Sequence, residues 1–282
     1  MIKEISDINE VLDFVWKLSQ DNRKASYHKI NSRIQLIEKL DHAIKSHTQR
    51  LIACYKNHVL KGVCLYFWID KEKYAQTTVF VIDTDYNIVA DEIIGQIQKE
   101  LIGYELLIGV PFDNINANRY FECKNIECIE ASYDTRLKSK NYICNNVKEN
   151  IESIDLNSFD EYSSFHAEYA GDMYWTSGRL KENIDDFRIF VYRYEGKISG
   201  SIFVKKYAEG AEVFGLFLHN NFKDKGIDSD LIHYMLKSLY AEYDDIREVV
   251  YFIDETDKEE LNTAINIGFK INDTYRCYKV RP

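Results

Sequence analysis

Apolar and polar residues alternate along much of the chain, and the alternation changes period several times. Near 50–56, 60–68 and 76–82 it has the two-residue period of half-buried strands. From 88 to 102 it shifts to the helical period, then returns to a strand at 105–110, a helix at 114–123 and a strand at 126–136. Two helices are predicted upstream, at 7–19 and 32–46. Asp7 is positioned to cap the first, with Glu10 three residues on as its capping-box partner. The same order recurs later: strands at 187–194, 198–206 and 211–218, a helix at 227–242, a strand at 247–253, a helix at 256–267 and a strand at 269–279. Strands that first follow one another and then alternate with helices predict a mixed α/β sheet.

The recurrence has a fixed register. "NHVLKGVCLYF" and "EGKISGSIFVK" each read as a turn and then a strand with one internal glycine. Those glycines, Gly62 and Gly200, are 138 residues apart (200 − 62). "DEIIGQIQKEL" and "SDLIHYMLKSL" match with the same spacing, Leu101 meeting Leu239. Two segments in one register indicate a duplication, with a period far too long for a solenoid. The polar stretch 138–150 lacks apolar periodicity. It divides a first domain, 1–137, from a second, 151–282.

Chemistry concentrates after the strand "VFGLFL". A short polar loop with one glycine, Gly226, opens the helix at 227. A helix N-terminus offers unpaired N–H groups and partial positive charge, and glycine lets backbone approach an anion closely. Lys223 and Lys225 add charge. As a bare pattern this is equally an ordinary helix start.

In its wider context, "EVFGLFLHNNFKDKGIDSDLIHYML" resembles the central motif of the GNAT acyl-coenzyme A transferases, in which Gln/Arg-x-x-Gly-x-Gly/Ala follows a strand and opens a helix. The motif falls on Lys223, Asp224, Lys225, Gly226, Ile227 and Asp228, with Ser229 next. The final segment, with its Gly268-Phe269 turn, is similar to the family's last strand–helix–strand. The resemblance implies two GNAT-like acyltransferase domains in tandem and acetyl-coenzyme A as cosubstrate. It implies that the loop's amides cradle the coenzyme pyrophosphate. It further implies that the backbone of Leu216, Phe217 and Leu218 holds the coenzyme arm, and that Asp257 takes the place of the family's helix-start asparagine. Glu212 stands where members often place a base that acts through water.

Several positions depart from the family pattern. Asp228 replaces a small residue. A carboxylate about 4 Å from a phosphate charge, at an effective dielectric near 20, opposes binding by about 4 kcal/mol before screening. Ala264 stands where the family often has a tyrosine acid, and the corresponding residue of the first half is Phe121. Tyr275 and Tyr278 on the last strand are the hydroxyls available as substitutes. In the 138-residue register Gly226 falls on Ile88, so the first domain lacks the glycine loop and is expected to be degenerate. The crowded stretch "HAEYAGDMYWTSGRL" falls where the resemblance places acceptor contacts. Asp172, Tyr174 and Trp175 would suit a cationic amine by charge pairing and cation–π contact, or else pack as an aromatic plug.

Composition narrows the possibilities. A hydrophobic content of 45% supports packed cores, and 46 acids against 36 bases, for a net charge of −10, argue against nucleic acid as a partner. That acidity also disfavours aminoacyl transfer from tRNA on a similar fold. No apolar run reaches the ~20 residues of a membrane span, and acids occupy the start where a signal peptide needs an apolar core. A cytoplasmic protein is expected, as monomer or homodimer, with a small-molecule or peptide amine as acceptor. The six cysteines form no CxxC pair and read as buried thiols, and no metal is expected. The rival reading is a non-catalytic GNAT-like protein that binds a small ligand or partner.

Overall fold

The computed structural model describes residues 1–138, 142, 150–171 and 173–281. They form two compact units: Met1–Ser132 with Asp273–Pro282, and Tyr133–Asn272.

Unit 1 contains β1 (Ile2–Glu4), α1 (Leu12–Ser19), α2 (Arg33–Lys45), β2 (Gln49–Lys56), β3 (Val59–Ile69), β4 (Tyr74–Ile82), α3 (Tyr86–Glu100), β5 (Glu105–Pro111), α4 (Ile115–Cys123) and the first part of β6 (Glu127–Lys138). Unit 2 contains the rest of β6, then β7 (Ile151–Ile154), α5 (Phe159–Ala170), α6 (Ser177–Glu182), β8 (Phe187–Tyr194), β9 (Lys197–Lys206), β10 (Gly210–Leu218), α7 (Ile227–Glu242), β11 (Glu248–Asp254) and α8 (Lys258–Ile267). The last strand, β12 (Lys270–Val280), starts in unit 2 and gives Asp273 onward to unit 1.

Within unit 1 the strands run in the order β1-β2-β3-β4-β5-β12, and within unit 2 in the order β6-β11-β10-β9-β8-β7. The hairpins pair antiparallel, while β4–β5 and β10–β11 pair parallel. This is the mixed sheet expected from the sequence. Each sheet is apolar on both faces because helices cover both. In β9, Ile202 and Val204 face the core shared with α7 and α8, while Ile198 and Phe203 face the core shared with α5 and α6. β3 repeats this with Cys64 and Tyr66 on one face and Val63 and Leu65 on the other.

The duplication is visible in three dimensions. β2 and β8 begin 138 residues apart (187 − 49), as do β3 and β9 (197 − 59). The paired glycines have one physical reason: a Cβ on Gly62 would lie 2.6 Å from Val89 of α3, and one on Gly200 would lie 2.4 Å from Leu218. The register then breaks. Three residues link β4 to α3, whereas eight link β10 to α7. The helix-start position that answers Gly226 is therefore Asp85, not Ile88. Both adopt a left-handed backbone, with φ of 58° at Asp85 and 73° at Gly226.

Other expectations shift for local reasons. Residues 7–19 are not one helix: Asp7 caps a 3-10 turn, Ile8–Glu10, by accepting from Asn9 N, and Glu10 pairs with Lys3 instead of closing a capping box. β1 and β7 are too short for an alternation to show in sequence. Cys54, Cys64 and Cys277 are buried free thiols, but Cys123 and Cys128 are exposed. Cys144 and nearly all of the polar stretch 138–150 lie outside the described residues. No helix among the described residues is long and apolar enough to cross a membrane.

Candidate active site

In unit 2, β10 and β11 pair only over Gly210–Val213 and Glu248–Tyr251. β10 continues to Leu218, bonded there, among the described residues, to β9 alone, and a bulge at Phe214 marks where it leaves its parallel neighbour. One backbone edge of Gly215–Leu218 is thereby released from the β11 ladder. Gly215 fits this crowded turn because a Cβ would lie 2.6 Å from Phe203 and 2.7 Å from Phe217. Unit 1 has the same parting: β4 and β5 pair only over Tyr74–Gln76 and Glu105–Leu107, with the bulge at Thr78.

The loop after β10 makes a 3-10 turn, Asn220–Phe222, and reaches α7 through left-handed residues at Asp224 and Gly226. Gly226, the N-cap of α7, offers no side-chain cap, and the first turn closes through Asp230 N donating to Gly226 O. The earlier N–H groups of the turn are thus open to an anion. Ile227 anchors the turn in the core, Ser229 is half-buried, and Lys223 and Lys225 are exposed, the latter 5.1 Å over the Phe222 ring. A Cβ at Gly226 would meet nothing within 4 Å, so the glycine serves its φ and not a tight contact.

Asp228, in the first turn of α7, is tied to α8: its Oδ2 accepts the Thr263 hydroxyl at 2.6 Å. Asp257 caps α8, its Oδ1 accepting Glu260 N at 2.9 Å. Next to it lies a group that sequence reasoning passed over. The Glu260 carboxylate receives the Tyr251 hydroxyl at 2.6 Å. Burial raises its pKa to about 7, the Tyr251 bond opposes that rise, and Asp257, Asp228 and Asp254 add to it. Tyr251 is the last residue of β11 paired with β10, so this proton-holding pair stands where the two strands part. The signal in sequence was faint: Glu260 sits one helical turn before Ala264 on the buried face of α8.

On the α5/α6 side, Glu212 is half-buried and opposite Lys205 in β9. The Tyr207 hydroxyl is pushed above its ordinary pKa by burial and then by Glu212 and Asp186. Lys205 Nζ lies 4.6 Å from the Trp175 ring and 3.4 Å from Asp186, and Trp175 packs on Phe187 and Phe214. The Arg179 guanidinium stacks 4.1 Å over Tyr174. Both predicted acceptor aromatics thus already carry a cation from their own chain. Asp172 lies outside the described residues. A further pair had no signal in sequence because its members are 50 residues apart: the Tyr169 hydroxyl meets His219 Nδ1, with Tyr169 stacked on Phe217.

Tyr275 and Tyr278 belong to unit 1, because β12 pairs there with β5 from Tyr275↔Pro111 to Val280↔Leu106. Tyr275 is buried against Tyr27, and Tyr278 donates to Asn118 Oδ1 at 2.8 Å while stacking on Phe121. These are packing roles, and neither side chain joins the unit that holds Gly226. Among the described residues, no group of three or more His, Cys, Asp or Glu side chains is placed to hold a metal.

This architecture of two units, each with a parted pair of parallel strands, is the tandem GNAT fold. No protein-family model and no curated protein matches the sequence. Solved structures are similar along its whole length. A GNAT N-acetyltransferase from Sphaerobacter thermophilus matches with a TM-score of 0.67 at 12% identity, over 100% of this chain and 96% of that one. A tandem GNAT protein from the clavulanic acid biosynthesis pathway matches with a TM-score of 0.59 at 10% identity, over 100% and 98%. The glucosamine N-acetyltransferase region of a fungal multi-domain β-N-acetylglucosaminidase gives 0.62 at 12% identity, over 99% of this chain and 38% of that one.

Proposed function

We propose that the protein transfers an acetyl or related acyl group from acetyl-coenzyme A to a primary amine of a small molecule or peptide, and that unit 2 carries the reaction. The observation behind this reading is a pairing within unit 2: a released strand edge at Gly215–Leu218 and, after it, an uncapped helix start at Gly226. The N–H groups around Gly226 suit the coenzyme's pyrophosphate, with Lys223 and Lys225 adding charge, and the free edge of Leu216–Leu218 suits its amide-bearing arm. The bound thioester supplies an activated acyl group.

The chain's own groups handle protons. Glu212, on the α5/α6 side, takes the proton of the acceptor ammonium through water. Glu260, held by Tyr251 where the strands part, keeps a proton near neutral pH and is the donor on the opposite side, replacing the hydroxyl absent at Ala264. Unit 1 has the parted strands but no glycine at its helix start. Its helix start is Asp85, paired with Lys61, and its three-residue loop also holds Asp83, paired with Lys24. Carboxylates there oppose a phosphate, so unit 1 binds no coenzyme in this reading.

A second reading, a non-catalytic ligand-binding protein, draws on the carboxylates of Asp228, Asp254, Asp257 and Glu260 near the α7 start. Calorimetric titration with acetyl-coenzyme A at low and high salt separates the two. One salt-sensitive site per chain, lost in Gly226→Glu while the fold persists, and thiol release with a panel of primary amines, support acyl transfer. Absence of binding at millimolar coenzyme refutes it and favours the second reading.

A further inference from the structure

Among the described residues, three polar atoms lie fully buried without a hydrogen-bond partner in one place of unit 2: the Tyr162 hydroxyl, His166 Nε2 and the Ser201 hydroxyl. Tyr162 and His166 are one turn apart on α5, with rings 5.5 Å from centre to centre. Ser201 is on β9, paired with Phe217 of the released segment of β10. It lies close enough to Tyr162 to influence that hydroxyl, without a bond of proper geometry. On the sheet side the imidazole meets aromatic rings, Phe203 at 5.4 Å and Phe217 at 5.9 Å. Three orphaned polar atoms in an apolar core are individually costly, and buried groups of this kind are ordinarily satisfied by protein or by ordered water.

The proton count at His166 says which partner is missing. The Ser177 hydroxyl, heading α6, donates its single proton to Ser163 O at 3.2 Å. Towards His166 Nδ1, 3.0 Å away, it therefore accepts, so Nδ1 carries the imidazole proton. Nε2 is left as a bare lone pair that needs a donor. Burial depresses the pKa of this histidine to about 4, which keeps the ring neutral.

We propose that one internal water molecule is bound here, donating to His166 Nε2 and joined to the hydroxyls of Tyr162 and Ser201. A buried water typically makes about three hydrogen bonds, the number this niche offers. The site ties α5, α6 and β9 together beneath the released part of β10. It does not depend on coenzyme binding.

Long-range proton–nitrogen spectra of the labelled full chain at pH 7 test the proton count. His166 should show a protonated Nδ1 and an unprotonated Nε2, the less common tautomer. An Nε2–H tautomer or a charged ring overturns the proposal. A crystal structure should show a solvent peak within hydrogen-bonding distance of Nε2, Tyr162 Oη and Ser201 Oγ, and a dry niche overturns it. Tyr162→Phe with Ser201→Ala removes two of three partners, so the peak should vanish, and its persistence there also counts against the assignment. Where that double variant does not fold, the wild-type spectrum and density decide.

Discussion

Glu260 gives a quantitative handle on unit 2. Its carboxyl pKa rises from an ordinary 4.5 to about 7 in the folded protein. A raised carboxyl pKa means that the folded state holds a proton that the unfolded state has released. Stability is then greatest below about pH 4.5 and falls as pH rises towards 7, by about 1.4 kcal/mol per unit. Across a window of roughly 2.5 units the loss is on the order of 3 kcal/mol, a large share of the stability of a domain this size. Glu260→Gln keeps an acceptor for the Tyr251 hydroxyl and removes the ionisation. The variant should gain on wild type by roughly 3 kcal/mol at pH 8 and by nothing at pH 4. Trp175 is in unit 2, while Trp16 and Trp68 are in unit 1. Urea unfolding followed by Trp175 fluorescence in a Trp16→Phe, Trp68→Phe background therefore reports unit 2. If the stability difference between this protein with and without Glu260→Gln is flat from pH 4 to 8, the carboxyl is not held protonated by its surroundings and its role as proton donor falls with it.

Asp228→Asn should keep the Thr263 bond and tighten acetyl-coenzyme A binding severalfold by calorimetry, because a nearby carboxylate charge is lost. Gly226→Ala should cost about 1–2 kcal/mol in chemical unfolding, since alanine must adopt a φ of 73° there with no clash to relieve. Tyr278→Phe should cost about 1 kcal/mol through the lost bond to Asn118 and leave thiol release unchanged. Equal loss of activity there would restore that hydroxyl as an acid.

The sequence carried the repeat, the mixed sheet and the strand–loop–helix at Gly226, because these depend on local periodicity and on where glycine is required. α7 runs over the residues its periodicity predicted, 227–242. What sequence could not carry depends on long-range placement. Tyr275 and Tyr278 looked like neighbours of the Gly226 loop by chain order, yet pairing with β5 puts them in unit 1. Trp175 and Tyr174 looked open to an amine, yet Lys205 and Arg179, remote or adjacent in sequence, take their ring faces. Glu260 carried no mark in the sequence beyond standing one helical turn before Ala264. Only its packing against Tyr251 singles it out.

The division of β12 sets an order of events during synthesis. Residues 273–282 emerge from the ribosome after all other residues of unit 1, yet Tyr278 and Val280 complete its core. Until then β5, with Leu106, Ile108 and Val110, waits as an exposed apolar edge, the kind that recruits other chains. Unit 2 has its residues through Asn272 in hand earlier and can close first. The unit built mainly from the first repeat is thus the last to be finished. A single cut between the repeats would leave unit 1 lacking a strand, so the halves cannot be expressed apart without moving residues 273–282 to the first.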